Sequence, residues 1–337
     1  MLLTRKVPRS RTGRLKTIWF AFCPISINQN SEREKAQQVK LMPHIFREAT
    51  CVMAMLGSGT QFDDAIKMLW RVDTSAPNDD RQQEAEDLMH EVYRIILNNE
   101  LYEAPIGDNP QRVLDLGCGT GIWAIEFADL HPSADVLGVD LSPIQPTFVP
   151  PNCRFEVDDI NQEWTHPDNH FDFVHIRAMM GCIPDWPELF EKAFKHTLPG
   201  GWIESVELWG AAKCDDDTLK SDSPLYTWID IFKRIGSLTG KPFFWDDKMA
   251  ESITKAGFIN LTGRVIKVPI GTWPKDKTLK QWGAWNRQFL LQGLEGFSIR
   301  GLTEMLGWKY EDAQLFLANM RKELTDPAIH AYLNVDI

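Results

Sequence analysis

No apolar run in the 337-residue chain is long enough to span a membrane. No Cys-x-x-Cys pair occurs either. Cys23, Cys51, Cys118, Cys153, Cys182 and Cys214 are scattered, which excludes a zinc module and a disulfide framework and leaves reduced thiols in a cytoplasmic or nuclear compartment. Positive charge is not in excess. A net charge of −11 and a pI near 5.3 disfavour a broad nucleic-acid face. Acids are missing from the start of the chain: none precedes Glu32, while Arg5, Lys6, Arg9, Arg11, Arg14 and Lys16 are basic. Those residues read as a disordered tail in preference to a targeting or nuclear-localisation segment, because the apolar burst Ile18-Trp19-Phe20-Ala21-Phe22 is short for a secretory signal. Hydrophobic residues at 43% and charged residues at 25% are ordinary for a folded domain of this length. Thirteen tryptophans are many, and the cluster after Trp202 reads equally as a pocket wall or as an aromatic core.

What is present is a glycine loop. Arg112 to Leu116 reads as a short buried strand, Gly117-Cys118-Gly119-Thr120-Gly121 as a tight turn, and Ile122 onward as a helix. Strand, glycine turn and helix open a Rossmann-like sheet. The spacing is Gly-x-Gly-x-Gly, not the Gly-x-Gly-x-x-Gly of dinucleotide enzymes. Asp115 stands just before the loop, where it repels a pyrophosphate and attracts an ammonium group. The ligand expected is therefore S-adenosylmethionine (SAM), with its α-ammonium at Asp115. The second strand ends in Asp140, followed by Leu141, about 20 residues past the loop, where an acid receives ribose hydroxyls. Arg154 to Asp159 reads as the third strand. Asp158 or Asp159 is placed to accept the adenine amino group, with Ile160 against the ring. The alternative reading of these acids is as turn residues and helix caps.

From about Asn109 to His330 the chain resembles the fungal LaeA-like (TAM-domain) class I methyltransferases. The resemblance rests on Val113-Leu114-Asp115-Leu116-Gly117-Cys118-Gly119-Thr120-Gly121-Ile122-Trp123-Ala124, Asp140-Leu141-Ser142-Pro143-Ile144-Gln145-Pro146 and Val149-Pro150-Pro151-Asn152-Cys153. Further along it is carried by Phe171-Asp172-Phe173-Val174-His175-Ile176-Arg177, Leu198-Pro199-Gly200-Gly201-Trp202-Ile203-Glu204 and Trp282-Gly283-Ala284-Trp285-Asn286. The Ser-Pro-Ile-Gln-Pro and His-Ile-Arg blocks are the more particular. The resemblance implies an α/β fold, a mostly parallel doubly wound sheet with helical insertions roofing the site. It also implies either an enzyme or a nuclear regulator of secondary-metabolite gene clusters working through protein partners. Two features depart from it. The tyrosine-rich segment that folds over SAM is not recognisable before Asp80. After His330-Ala331-Tyr332, where the family places a seventh, antiparallel strand, only a stub remains, so the strand is short or the sheet keeps an open edge.

The expected organisation is an atypical, partly disordered segment at 1–77, with a flexible break at Gly57-Ser58-Gly59, and a methyltransferase domain at 78–337. Insertions are expected at about 210–250 and 275–325. Helices are expected over Arg81–Asn98 (capped by Asn78-Asp79-Asp80), Trp186–His196, Pro224–Leu238, Lys248–Ala256, Thr278–Leu291, Ser298–Leu306 and Tyr310–Leu324, and further strands over Phe171–Ile176, Trp202–Leu208 and Phe258–Pro269. His175 and Glu207 are the candidate general bases, one by its free pKa near neutrality and the other by its place after the fifth strand. Arg177 either orients a carboxylate or clamps a helix. No Asp-Pro-Pro-Tyr or Asn-Pro-Pro-Tyr box follows strand four, which argues against DNA base methylation. The expected partner is a small-molecule methyl acceptor, or proteins if the chain is regulatory, with no DNA, no membrane and no metal.

Overall fold

The structure, a computed structural model, describes residues 80–208, 211–244 and 247–337, apart from the side chains of Asp80, Arg81 and Asp247. The chain divides between Asp73 and Thr74, and the unit from Thr74 onward contains all of them. The basic stretch, the Gly57-Ser58-Gly59 break and the capping residues Asn78-Asp79 lie outside the described residues.

Helix α1 (Asp80–Ile96) precedes β1 (Arg112–Leu116), α2 (Ile122–Leu130), β2 (Asp135–Asp140) and β3 (Cys153–Val157). Then follow β4 (Phe171–Arg177), α3 (Trp186–His196), β5 (Thr197–Leu208), α4 (Pro224–Thr239) and α5 (Asp247–Ala256). β6 (Val265–Pro269), α6 (Lys277–Arg300), α7 (Tyr310–Thr325) and β7 (Tyr332–Asp336) complete the domain. The sheet order is β3-β2-β1-β4-β5-β7-β6. The five strands from β3 to β5 are parallel, and β7 runs antiparallel to both neighbours. Burial explains the central strands. Val113, Leu114, Val174 and Ile176 are fully covered, as parallel strands with helices on both faces require.

The stub after His330 is itself the seventh strand. Tyr332–Asp336 pairs along all five residues of β6 but meets β5 only at Glu207 and Leu208. The strand is short, and the sheet still closes in the seven-strand order.

Several expected elements change length, and β5 starts at Thr197, five residues before the expected Trp202. β3 ends at Val157, two residues early, because the Asp158 N–H bonds the carbonyl of Asp140 (3.1 Å) while the Asp159 N–H turns onto the Asp158 carboxylate (2.8 Å). β6 starts at Val265 and not Phe258. Gly257 and Asn260 have positive φ, which turns the chain, and Ile259 is left in solvent. The helices expected over Thr278–Leu291 and Ser298–Leu306 are one helix, α6, that runs on into a π-helical turn at Gly301–Met305. Gly293 and Gly296 do not break it. A Cβ at Gly293 would stand 2.2 Å from the Phe297 ring, and one at Gly296 would stand 2.7 Å from the Gln82 side chain of α1, so both glycines serve close packing.

Candidate functional site

The loop Gly117–Gly121 leaves the carboxyl end of β1, where ligands bind in open α/β sheets. Gly117, Gly119 and Gly121 all take positive φ (70°, 54° and 81°), which glycine adopts without strain. Each is also closely covered. An added Cβ would stand 2.1 Å from Met179 Sδ at Gly117, 2.8 Å from Glu86 Oε2 at Gly119 and 2.4 Å from the Phe155 ring at Gly121. The loop is anchored below by the carbonyl of Val139, which accepts from the N–H groups of Gly117 (2.8 Å) and Cys118 (3.1 Å). Cys118 is buried, and burial pushes its thiol pKa up, so it is a packing residue in its neutral form.

Asp140 ties the second strand to this loop. One carboxylate oxygen accepts from Gly119 N–H (2.9 Å), the other from Ser142 N–H (2.8 Å), and burial raises the carboxyl above its ordinary range. Gln145 donates to the carbonyls of Gly119 (2.7 Å) and Ser142 (2.9 Å), which gives the Ser-Pro-Ile-Gln-Pro block a structural role. Leu141 is half-buried beside it. Ile160 is buried, Asp158 is exposed, and Asp159 turns its carboxylate onto Asn161 and Gln162. Asp140, Leu141 and the glycine loop thus stand together, and Asp158 is attached to them through its N–H to the Asp140 carbonyl.

The other named residues lie behind this surface. His175 is fully buried, stacked flat on Trp123 with ring centroids 3.7 Å apart, and its Nδ1 is 2.8 Å from the Asp115 carboxylate. Burial holds the imidazole below its usual pKa, so neutral Nδ1–H donates to Asp115. Asp115 is only 3% exposed and engaged in that bond. Glu207 is fully buried too. Its two oxygens accept from the N–H groups of Met179 (3.1 Å) and Met180 (3.2 Å), and burial pushes its pKa up to about 8. It braces the loop whose Met179 covers Gly117. His175 and Glu207 are both closed to solvent and each holds a bonded partner. Arg177 donates to His90 Nδ1 (3.0 Å) and lies over the Tyr93 ring, which fixes α1 to the end of β4.

Helix α1 supplies site residues that sequence reasoning passed over. Thr120 donates to Asp87 (2.8 Å), and Glu86 reaches the edge of Gly119. Burial and the charge of Asp140 raise the Glu86 pKa to about 7. The signal was present: Glu86, His90 and Tyr93 recur at helical spacing on one face, polar where a core stripe is apolar. Phe155 was also missed. Its ring fills the space that Gly121 and Gly138 leave open.

The loop Ala178–Pro184 follows β4, and its Met179 lies against Gly117. Gly181 N–H bonds the carbonyl of Pro242 (2.7 Å), and the Phe243 ring lies against Gly181. Cys182 is exposed there. A groove of about 1180 Å³ lies elsewhere, lined by the first half of β5, Glu103–Pro105 and Gly257–Val265, and none of the glycine-loop residues borders it. Among the described residues there is no group of side chains fit to hold a metal, and no helix long and apolar enough to cross a membrane.

These residues fit SAM. A loop of positive-φ glycines stands at the end of β1, acids stand at the loop and at the tip of β2, and Glu86 Oε2 is a buried acceptor without a hydrogen-bond partner. A family model described as a methyltransferase domain matches residues 81–262. A second, for heterokaryon incompatibility protein, matches residues 4–107, most of them outside the described residues. The chain is 39% identical over 257 residues to the methyltransferase pytC of Aspergillus terreus, covering 76% of this chain and 79% of that one. It is 37% identical over 267 residues to the secondary metabolism regulator LAE1 of Cochliobolus heterostrophus, covering 77% and 87%. It is 32% identical over 259 residues to the protein-methionine methyltransferase laeA of Emericella nidulans, covering 76% and 69%. Among solved structures, the Haemonchus contortus phosphoethanolamine N-methyltransferase 2 with bound SAM aligns at a TM-score of 0.42 and 19% identity, over 73% of this chain and 51% of that one. The chain belongs to the LaeA-like group of class I methyltransferases, enzymes that take S-adenosylmethionine as cofactor.

Proposed function

We propose that the protein transfers a methyl group from SAM to an oxygen or nitrogen of a small molecule in fungal secondary metabolism. The observation that carries this reading is the covering of the post-β4 loop. Pro242 and Phe243 close over Gly181 in the loop whose Met179 lies against Gly117, which supports an apolar acceptor wall next to the cofactor side. Relatives named as a methyltransferase and as secondary metabolism regulators support the same setting.

When bound, SAM supplies an activated methyl on a positive sulfonium with a good leaving group. The protein's part is to position and to exclude water. The glycine loop Gly117–Gly121 would take the amino-acid end of the cofactor, Asp140 the ribose hydroxyls, and Ile160 and the turn at Asp158 and Asp159 the adenine. Met179, Met180 and Phe243 would line the acceptor side and orient the nucleophile toward the methyl group. In-line transfer to a nucleophilic oxygen or nitrogen needs no buried base, which agrees with the supporting positions of His175 and Glu207. The protein works in the cytoplasm or the nucleus, as a domain running from about residue 78 to 337.

A second reading is a nuclear regulator that methylates, or acts through, protein partners; 37% identity to LAE1 and 32% to a protein-methionine methyltransferase favour it. One experiment separates the two. The purified protein is incubated with methyl-tritiated SAM and extract from a strain lacking the gene. Label in the organic-solvent fraction supports a small-molecule acceptor. Label confined to protein overturns that reading in favour of the second.

A further inference from the structure

Most of β5 is paired along one edge only. Trp202 to Val206 lie against β4, while β7 meets β5 at Glu207 and Leu208 alone. The Val206 carbonyl accepts from Ala178 N–H on the β4 side (3.0 Å). Backbone groups along a strand point to opposite edges at alternate residues, so Ile203 and Ser205 turn their N–H and carbonyl groups the other way. That way lies the groove of about 1180 Å³, which both residues line, and no described residue pairs with them there. Two side chains at the same place lack partners as well. Glu204 is 6% exposed; its Oε2 accepts from the N–H groups of Glu103 (2.7 Å) and Ala104 (2.6 Å), and its buried Oε1 accepts from nothing. The Ser205 hydroxyl is buried without a hydrogen bond. The rim, by contrast, is apolar: Phe194, Ile259, Leu261 and Val265 stand in solvent along it.

An unpaired strand edge, an apolar rim and unsatisfied acceptors together make a seat for another strand. The charge of the groove says what that strand carries. Its basic side chains are taken, Arg264 by Glu103 and Lys195 by Asp168 (3.6 Å), whereas the acids Glu204 and Asp336 form no ion pair among the described residues. We propose that the open edge of β5 docks an extended segment of a partner protein, which adds as a strand antiparallel to β5 and in line with β7, with apolar side chains against the rim and a lysine or arginine beside Glu204. A stretch of five residues, about 17 Å long, covers the open length from Trp202 to Val206. Main-chain hydrogen bonds to Ile203 and Ser205 supply affinity, and the rim selects apolar residues at alternate positions. None of the glycine-loop residues borders the groove, so docking there does not depend on which acceptor is methylated.

The probes are short end-capped synthetic peptides with valine at alternate positions and lysine, glutamate or asparagine between, titrated into the full chain by fluorescence anisotropy. The lysine peptide is expected to bind with a Kd of roughly 10 μM, and the glutamate peptide at least about tenfold more weakly. N-methylation of two alternate amides of the lysine peptide removes donors and keeps every side chain; it is expected to cost at least about tenfold. Amide hydrogen exchange at Ile203 and Ser205 is expected to slow when the lysine peptide is bound. Ile259→Ser combined with Leu261→Ser, both exposed and free of any folding role in the core, is expected to weaken the lysine peptide about fivefold. Glu204→Gln is expected to erase the preference for lysine over asparagine. Binding indifferent to N-methylation, or unchanged exchange at Ile203 and Ser205, overturns strand addition. Equal affinity for the lysine and glutamate peptides overturns the charge assignment, and no binding of any peptide up to about 1 mM overturns the proposal outright. A dimer in sedimentation whose formation protects the same two amides gives the groove to a second copy of the chain and overturns the partner.

Discussion

Asp140→Asn isolates what the tip of β2 contributes. The Asp140 carboxylate accepts from Gly119 N–H at 2.9 Å and from Ser142 N–H at 2.8 Å, one on each oxygen. An asparagine keeps one acceptor and turns an NH2 group toward the other donor. One backbone N–H is then left unsatisfied against a like donor, at a cost of about 1–3 kcal/mol. If the unpaired N–H is that of Gly119, the loop itself shifts. The substitution also replaces the charged acceptor of two ribose hydroxyls by a neutral one, and hydrogen bonds to charged groups are worth about 1.5–3 kcal/mol. Part of the first cost falls on the free protein as well, so the loss in binding is smaller than the sum. About 1.5–3 kcal/mol on SAM affinity is expected, a factor of roughly 10–100 in Kd. Titration calorimetry with SAM and 5′-methylthioadenosine reads it, and both ligands should weaken together because both carry the ribose. A Kd within about twofold of the unaltered protein, with an unaltered melting temperature, would refute the reasoning.

Other predictions concern stability. Gly283→Ala should destabilise the fold although alanine favours helices, because its Cβ would stand 1.9 Å from the backbone oxygen of Gly271; overpacking of this kind costs about 1–3 kcal/mol or more, readable as a lower urea midpoint with an unchanged slope. Stability of the unliganded protein should fall between pH 6.5 and 8.5. The buried Glu207 carboxyl, at about 8 against an ordinary 4.5, holds its proton in the folded state and has lost it in the unfolded one, so its contribution is present at low pH and lost as pH rises through 8. That contribution is about 2 kcal/mol over this window, with a smaller part from Glu204, raised to about 7. The buried histidines His90 and His175, both lowered, oppose it only below pH 6.5. Glu207→Gln should remove most of the slope, and an unchanged slope in that variant would exclude Glu207 as its source.

The parallel half of the sheet was legible because its signals are local. Arg112–Leu116 and Asp135–Asp140 are apolar runs bounded by turns, and Asp185 caps α3 just where Pro and Glu follow it. The glycine loop was legible for the same reason. What pattern reading missed depends on contacts distant in sequence. Gly296 looks like a helix breaker until α1 is seen packed against it, and Gly293 until the Phe297 ring is seen over it. His175 looks like a free base at a strand end until Trp123 and Asp115 close over it. Glu86 looks like any solvated helix acid until the loop it covers is in place. Titratable side chains change meaning most on folding, because burial and pairing decide whether they face a ligand or support the wall behind it.

The most direct measurement of the whole account is a crystal structure with S-adenosylhomocysteine bound. The ribose hydroxyls should lie within hydrogen-bond distance of Asp140, the adenine should rest against Ile160, and the amino-acid end should cross Gly117–Gly119 beneath α1. Density for the ligand away from the glycine loop, or a ribose with no contact to Asp140, would contradict it.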